Sequence, residues 1–129
     1  MNREKAIDIS LLLLRVFTAI IFIQVGGLKL FGWFGGLPAG FELSTLLTVA
    51  GWLEVVGGVA ILLGLFTRPV AFILAGEMAF AYFMGHFPQG FWPIQNHGEP
   101  AVLLCFIFLF LAAYGAGKLS LDKIVRRIS

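Results

Sequence analysis

The chain has 129 residues, of which 60% are hydrophobic and only 12% are charged. Soluble globular domains are about 45–50% apolar and about 25% charged, so this composition excludes an ordinary soluble domain. The net charge is only +2, and the basic residues are scattered along the chain. They form no basic face of the kind that binds nucleic acid.

Four apolar segments follow one another along the chain. A helix that crosses a bilayer needs about 20 mainly apolar residues, and the segments approach or exceed that length. They leave no room for a separate soluble domain, so residues 1–129 form one predicted domain. The predicted fold class is all-α, an integral membrane antiparallel four-helix bundle, with spans at about 9–30, 44–66, 69–86 and 99–116.

The basic residues predict the orientation of this bundle. Lys and Arg are concentrated in cytoplasmic loops of membrane proteins. Arg3 and Lys5 precede the first span, Arg68 lies between the second and third, and four more basic residues follow the fourth. Both termini are therefore predicted to be cytoplasmic. The first span is too long for the apolar core of a signal peptide and carries Arg15, so we interpret it as a membrane helix.

The two loops on the opposite side, residues 31–38 and 87–94, are rich in Gly, Pro and aromatic residues. Their tryptophans, Trp33 and Trp92, suit the aromatic belt found at a membrane–water interface. The alternative is that the loops cap a cavity between the helices.

The last ten residues, 120–129, have a different pattern. Apolar and basic residues alternate at helical spacing, which predicts a short amphipathic helix lying on the inner leaflet. The apolar positions are Leu121, Ile124, Val125 and Ile128, and the basic positions are Lys123, Arg126 and Arg127.

Arg15, Glu54 and Glu77 lie within three different apolar segments. Ionisable residues at such depth are costly, and they usually pair or line a functional cavity. Each shares its helix face with small residues, so we predict a buried charge cluster in which Arg15 pairs with one or both glutamates. Two interpretations remain open: a structural clamp that fixes helix register, or a proton-accepting group beside a ligand.

A second polar group is predicted at the outer membrane edge. It could exchange protons at a quinone head group, or it could simply cap helices and reach toward water. The single cysteine, Cys105, is interpreted as a packing residue, and no metal site is predicted because the potential ligands are too few. The outer polar group consists of Lys29, His86, Asn96, His97 and Glu99.

Six short segments, in this order and spacing, resemble the DoxX family of small four-span membrane proteins. The resemblance extends from about residue 11 to residue 122, although Val25 stands where many members have a histidine. The segments are residues 26–36 (GGLKLFGWFGG), 52–58 (WLEVVGG), 64–69 (GLFTRP), 86–92 (HFPQGFW), 96–99 (NHGE) and 117–122 (GKLSLD).

The resemblance implies a multi-pass protein of the bacterial plasma (inner) membrane that is a subunit of an oxidoreductase. Some relatives are membrane subunits of thiosulfate:quinone oxidoreductase, and others belong to thiol or oxidative-stress systems. The sequence shows no flavin, haem or cysteine centre, so no intrinsic cofactor is predicted and a quinone is the candidate ligand. The lipid bilayer is the predicted partner, and a soluble redox protein and a second copy of the chain are further candidates. The candidate catalytic residues are Glu54, Glu77, His86 and Glu99, and the candidate quinone contacts are Trp52 and Trp92.

Two other functions remain open. The chain could be a non-catalytic scaffold that recruits a soluble redox enzyme, or a small transporter or proton pathway. Four short spans without a clear repeat make transport the weaker of these hypotheses.

Overall fold

The computed structural model describes residues 1–128, and their side chains as far as residue 126. Residues 1–128 contain helices and turns but no strand. The described residues form six α-helices, which are α1 (Arg3–Phe31), α2 (Thr45–Leu63), α3 (Thr67–Ala81), α4 (Pro93–Asn96), α5 (Glu99–Tyr114) and α6 (Leu121–Ile128).

Local sequence signals set the ends of the first two long helices. The Asn2 side chain accepts a hydrogen bond from the Lys5 amide and caps α1, and Ser44 caps α2 through the Leu47 amide. Such caps satisfy amides that have no partner within the helix. Gly32 and Gly64 then end the two helices in the left-handed conformation, which glycine adopts without a Cβ clash.

Beyond α3, the third span continues as one turn that is wider than an α-helix and one that is tighter. After α3, residues Tyr82–His86 form a π-helical turn and Phe87–Gln89 form a 3₁₀ turn. Gly90 ends the 3₁₀ turn, and after the short α4 the helix α5 begins with Glu99 and Pro100 in its first turn.

Two compact units make up the chain, and the first comprises residues 1–67 with the segment from residue 116 onward. Its centre is the antiparallel pair of α1 and α2. A Cβ built on Gly26 would lie 2.8 Å from the Gly51 carbonyl oxygen, and one on Gly58 would lie 2.6 Å from Ile23. Glycines at these positions let the two backbones approach closely, which is how helices associate in lipid.

The second unit comprises residues 68–115 and pairs α3 with α5 in the antiparallel sense. At one end the Arg68 Nε donates to the Ala112 carbonyl oxygen at 3.0 Å. At the other end Tyr82 lies against Gly98, immediately before α5. Apolar side chains of both helices are buried, among them Ala71, Leu74, Met78, Ala101, Phe108 and Leu111.

The predicted all-helical membrane class is confirmed. Among residues 1–128, three helical segments are long and apolar enough to cross a membrane, namely Arg3–Phe31, Thr45–Leu63 and Thr67–Gln89. The fourth predicted span is a shorter apolar helix of 16 residues, α5. The cytoplasmic location of both termini stays a prediction. The predicted tail helix corresponds to α6, and Ser129 lies outside the described residues.

Candidate functional site

A salt bridge joins the end of α1 to the middle of α2. The Lys29 Nζ lies 2.8 Å from both Oε1 and Oε2 of Glu54. Only 1% of the Glu54 side chain is exposed, against 18% for Lys29. Lys29 lies near the membrane edge and extends its long side chain inward, so that the buried carboxylate is neutralised.

The surroundings of Glu54 are closely packed. A Cβ on Gly26 would lie 2.8 Å from the Glu54 Cβ and from a methyl group of Val55. Gly51, one turn earlier on α2, is covered by the Leu30 side chain. The carboxylate therefore sits in a tight helix–helix contact, an environment that suits a clamp for helix register.

Arg15 has a different role from the one predicted. Its side chain is 2% exposed, and its Nε donates to the Ile61 carbonyl oxygen at 2.8 Å. Its Nη1 and Nη2 donate to the carbonyl oxygens of Ala116 at 2.8 Å and Leu119 at 3.0 Å, with a longer contact to Leu62 at 3.4 Å. The guanidinium thus joins the end of α2 to the segment that precedes α6.

Backbone chemistry explains this choice of partners. The last carbonyls of a helix have no intrahelical donor, and the C-terminal end carries a partial negative charge. Ile61 and Leu62 lie in the last turn of α2, just before Leu63 and the capping Gly64. Arg15 therefore provides both hydrogen-bond donors and positive charge at this helix end.

The predicted pairing of Arg15 with Glu54 is wrong. The Glu54 side chain packs against Gly26, which lies 11 residues, or about 16 Å, along α1 from Arg15. The prediction placed both residues near mid-depth, but Arg15 lies level with the end of α2, whereas Glu54 lies in the middle of α2, opposite Gly26. Glu77 is half-buried on α3 in the second unit, and its membership of a charge cluster stays a prediction.

Sequence reasoning missed a second connection in the first unit, made by Asp122. Its carboxylate accepts hydrogen bonds from the amides of Phe66 at 2.7 Å and Thr67 at 2.9 Å, where the chain enters α3. The Asp122 amide donates to the Gly64 carbonyl oxygen, and the Ser120 Oγ accepts from the Lys123 amide. Ser120 is a typical N-cap residue and signals the start of α6, but no local pattern signals the distant amides that Asp122 binds.

In the second unit, the π-helical turn places His86 against the loop before α5. The His86 Nδ1 lies 3.0 Å from the carbonyl oxygen of Asn96. A carbonyl oxygen can only accept, so Nδ1 carries a proton in this hydrogen bond. The neutral imidazole then presents an unprotonated Nε2. Single π-helical turns occur frequently at functional sites.

Asn96 fixes the shape of this loop. It is fully buried, and its Nδ2 donates to the Tyr82 hydroxyl at 3.1 Å and to the Gly90 carbonyl oxygen at 2.9 Å. Its Oδ1 accepts from the Gly98 amide at 2.8 Å. The side-chain nitrogen and oxygen of Asn96 are therefore both hydrogen-bonded within the loop. These bonds hold the Asn96 backbone carbonyl in place, and that carbonyl in turn orients the His86 imidazole.

Exposed aromatic rings continue from this point along the loop. The ring centroids are 5.8 Å apart between Phe83 and Phe87, 5.8 Å between Phe87 and Phe91, and 4.9 Å between Phe91 and Trp92. We call Phe83, Phe87, Phe91 and Trp92 the aromatic row. Trp52, the other predicted quinone contact, lies in the first unit against Phe31.

The remaining members of the predicted outer polar group are not drawn into this network. His97 and Glu99 are exposed, and neither side chain has a hydrogen-bond or charged partner within residues 1–126. The proposed proton-exchanging pair of His86 and Glu99 is therefore not formed, because the Nδ1 of His86 takes a backbone partner instead. Lys29 belongs to the first unit, where its partner is Glu54.

Within the described part of the chain, no three His, Cys, Asp or Glu residues are grouped closely enough to hold a metal ion. Cys105 is a half-buried free thiol on α5.

The chain resembles two other bacterial proteins along nearly its whole length. It is 41% identical over 127 residues to an uncharacterized protein of Haemophilus influenzae, a match that covers 95% of each chain. It is 31% identical over 140 residues to the inner membrane protein YqjF of Escherichia coli, which covers 96% of this chain and 98% of YqjF. No solved structure is significantly similar.

The apolar helices and these relatives identify a multi-pass protein of the bacterial inner membrane. The DoxX family model matches residues 10–87, which include α1 from residue 10 onward, α2, α3 and the π-helical turn with His86. This chain is therefore a member of the DoxX family.

Proposed function

We propose that this protein is the membrane subunit of a quinone-linked oxidoreductase and that it holds the quinone head group at His86. The observation that carries the proposal is the hydrogen bond between the His86 Nδ1 and the Asn96 carbonyl oxygen. It fixes the orientation of the ring and leaves Nε2 as the reactive nitrogen.

The chemistry of Nε2 matches both redox states of a quinone. A neutral Nε2 accepts a hydrogen bond from a quinol hydroxyl, and a protonated Nε2 donates one to a quinone carbonyl. Imidazole is the side chain best suited to exchange protons near neutral pH. His86 is half-buried, so its partner can approach while bulk water is partly excluded.

The surroundings of His86 suit an amphipathic ligand. The Tyr82 ring lies 6.3 Å from the imidazole between centroids, and the exposed aromatic row begins at the next residue, Phe83. A quinone has a flat apolar ring with a polar carbonyl at each end. Aromatic faces bind such rings by offset stacking and edge contacts.

Reduction of the bound quinone requires two electrons and two protons to form a quinol. In this proposal the protonated His86 transfers one proton from Nε2 to a quinone oxygen, and water at the membrane edge supplies the second. The two electrons come from a soluble redox protein that docks on the membrane subunit. His86 is then reprotonated from water.

Quinone binding tests the proposal directly. Purified protein in detergent is titrated with decylubiquinone, and binding is followed by quenching of tryptophan fluorescence. His86→Phe keeps an aromatic ring but loses Nε2, and loss of one hydrogen bond should weaken binding about 2–10-fold. The matched control is His97→Asn, because His97 is exposed and Asn tolerates its left-handed backbone (φ 58°).

A wild-type protein that binds no quinone, or a His86→Phe variant that binds it as tightly as wild type, would remove the proposal. Absence of quinone binding together with co-purification of a soluble enzyme would favour the scaffold hypothesis instead. Transport is less well supported, because Glu54 lies in a packed contact between α1 and α2.

A further inference from the structure

We propose that α6 is a binding surface for anionic phospholipid, held at the membrane edge by Arg15 and Asp122. This surface is separate from the proposed quinone site, since all of its residues belong to the first unit. Three features of α6 support lipid binding: the depth at which it begins, the apolar side chains that it exposes, and the charge on its other face.

Contacts with both membrane helices fix the depth of α6. Asp122, in its first turn, is bonded to Gly64, Phe66 and Thr67, immediately after α2 ends. Lys118 lies 3.9 Å from Asp8, the last charged residue before the apolar part of α1. The end of one apolar helix and the start of another both mark the membrane edge, so α6 begins there.

Arg15 holds the segment that leads into α6. Its bonds to the carbonyl oxygens of Ala116 and Leu119 tie that segment to α1, and a Cβ on Gly64 would lie 2.5 Å from the Ser120 Cβ. These contacts are buried and directional. The start of α6 is therefore fixed to the helix pair and does not depend on a flexible linker.

The exposed surface of α6 is apolar on one side. Ile124 and Val125 are each 51% exposed, and the nearby Leu119 is 48% exposed. Residues 124 and 125 are adjacent on the helix face that also contains Leu121, whereas residue 123 points to the opposite side. At the membrane edge, apolar side chains in this position can enter the boundary between head groups and acyl chains.

Positive charge selects the kind of lipid. Lys123 is exposed on the polar face of α6, Arg126 follows on the same face, and Lys118 is 62% exposed. Each basic residue beside an anionic membrane surface contributes about 1 kcal/mol to binding. An amphipathic helix with this arrangement fits phosphatidylglycerol or another anionic phospholipid better than a neutral one.

Spin labels on the full-length protein measure the depth of α6. In a Cys105→Ser background, a nitroxide is attached to Ile124→Cys or, as the matched control, to Lys123→Cys. The protein is placed in nanodiscs of phosphatidylglycerol and phosphatidylcholine. The label at 124 should be accessible to oxygen and protected from a water-soluble nickel reagent, and the label at 123 should show the reverse.

Lipid titration tests the charge preference. Lys123→Gln with Arg126→Gln should weaken binding of the first phosphatidylglycerol, measured by native mass spectrometry, by about fivefold for each removed charge. Binding of phosphatidylcholine should not change. This result does not depend on quinone binding, so the two proposals can fail separately.

Three outcomes would overturn the proposal. The first is equal exposure of the labels at 124 and 123 to the nickel reagent. The second is a short distance between labels at 124 in neighbouring molecules, which would assign the apolar face to a second copy of the chain. The third is an unchanged preference for phosphatidylglycerol in the double variant.

Discussion

The Lys29 ammonium donates to both carboxylate oxygens of Glu54 at 2.8 Å, across the contact between α1 and α2. The two ends of this pair are unequally accessible, because Lys29 is 18% exposed and Glu54 is 1% exposed. A lysine without its partner can turn toward water, whereas the carboxylate cannot.

That asymmetry predicts unequal effects of the two single substitutions. Lys29→Met leaves the buried carboxylate uncompensated and should destabilise the fold by about 3–5 kcal/mol. Glu54→Met should cost less, and the double variant should be more stable than Lys29→Met alone. The measurement is reversible unfolding in mixed detergent micelles, followed by circular dichroism.

Glu42→Gln is the control for removal of a carboxylate, since Glu42 is exposed in the loop before α2. Additive effects of Lys29→Met and Glu54→Met would contradict the pairing. Arg15→Met combined with Glu54→Met should be additive, because the two side chains have separate partners.

The membrane class and the approximate helix positions were predictable because apolar length and helix-ending Gly and Pro are local signals. The partners of Arg15 and Glu54 were not, because depth in the membrane had to be counted from uncertain helix ends. In the structure Arg15 lies level with the end of α2, and the long Lys29 side chain reaches Glu54 from the opposite end of α1.

Backbone carbonyl partners are also hidden from sequence patterns. Arg15 was expected to find a carboxylate, since opposite charges are visible in the sequence and unpaired carbonyls are not. The same limit applies to His86, whose partner is the carbonyl oxygen of Asn96. The end of the third span close to His86 was nevertheless predictable from the Gly and Pro residues that follow it.

Substitutions of Arg15 should destabilise the protein whether they remove the charge or only the planar shape of the guanidinium. Four carbonyl oxygens around a planar guanidinium need donors in fixed directions, and Lys offers only three donors from one nitrogen. Arg15→Lys should destabilise the protein, and Arg15→Met should do so more strongly, by about 1–3 kcal/mol for each buried carbonyl left without a donor. Thermal unfolding in detergent gives the order.

The exposed Arg3, at the start of α1, provides the control through Arg3→Lys, which should leave stability unchanged. If Arg15→Lys were as stable as wild type, a single charge near the end of α2 would be sufficient and the four directed bonds would be irrelevant.

Asp122 should protect the start of α3. Its carboxylate accepts from the amides of Phe66 and Thr67, as an N-cap residue does within a helix. Asp122→Ala should cost about 0.5–2 kcal/mol and should speed hydrogen exchange at these two amides. Hydrogen–deuterium exchange with mass spectrometry resolves the effect. Glu4→Gln, at the exposed start of α1, should leave exchange at residues 66 and 67 unchanged.

Close contact between α1 and α2 predicts opposite effects for two glycine substitutions. In Gly26→Ala the new methyl group would lie 2.8 Å from the Gly51 carbonyl oxygen, so the helices must separate, at a cost of about 1–3 kcal/mol. Around Gly76 on α3, a new Cβ meets no described atom within 4 Å, and Gly76→Ala should stabilise the helix by up to about 1 kcal/mol. Unfolding in mixed micelles compares the two variants. A neutral Gly26→Ala would mean that α1 and α2 do not approach each other closely at the Lys29–Glu54 pair.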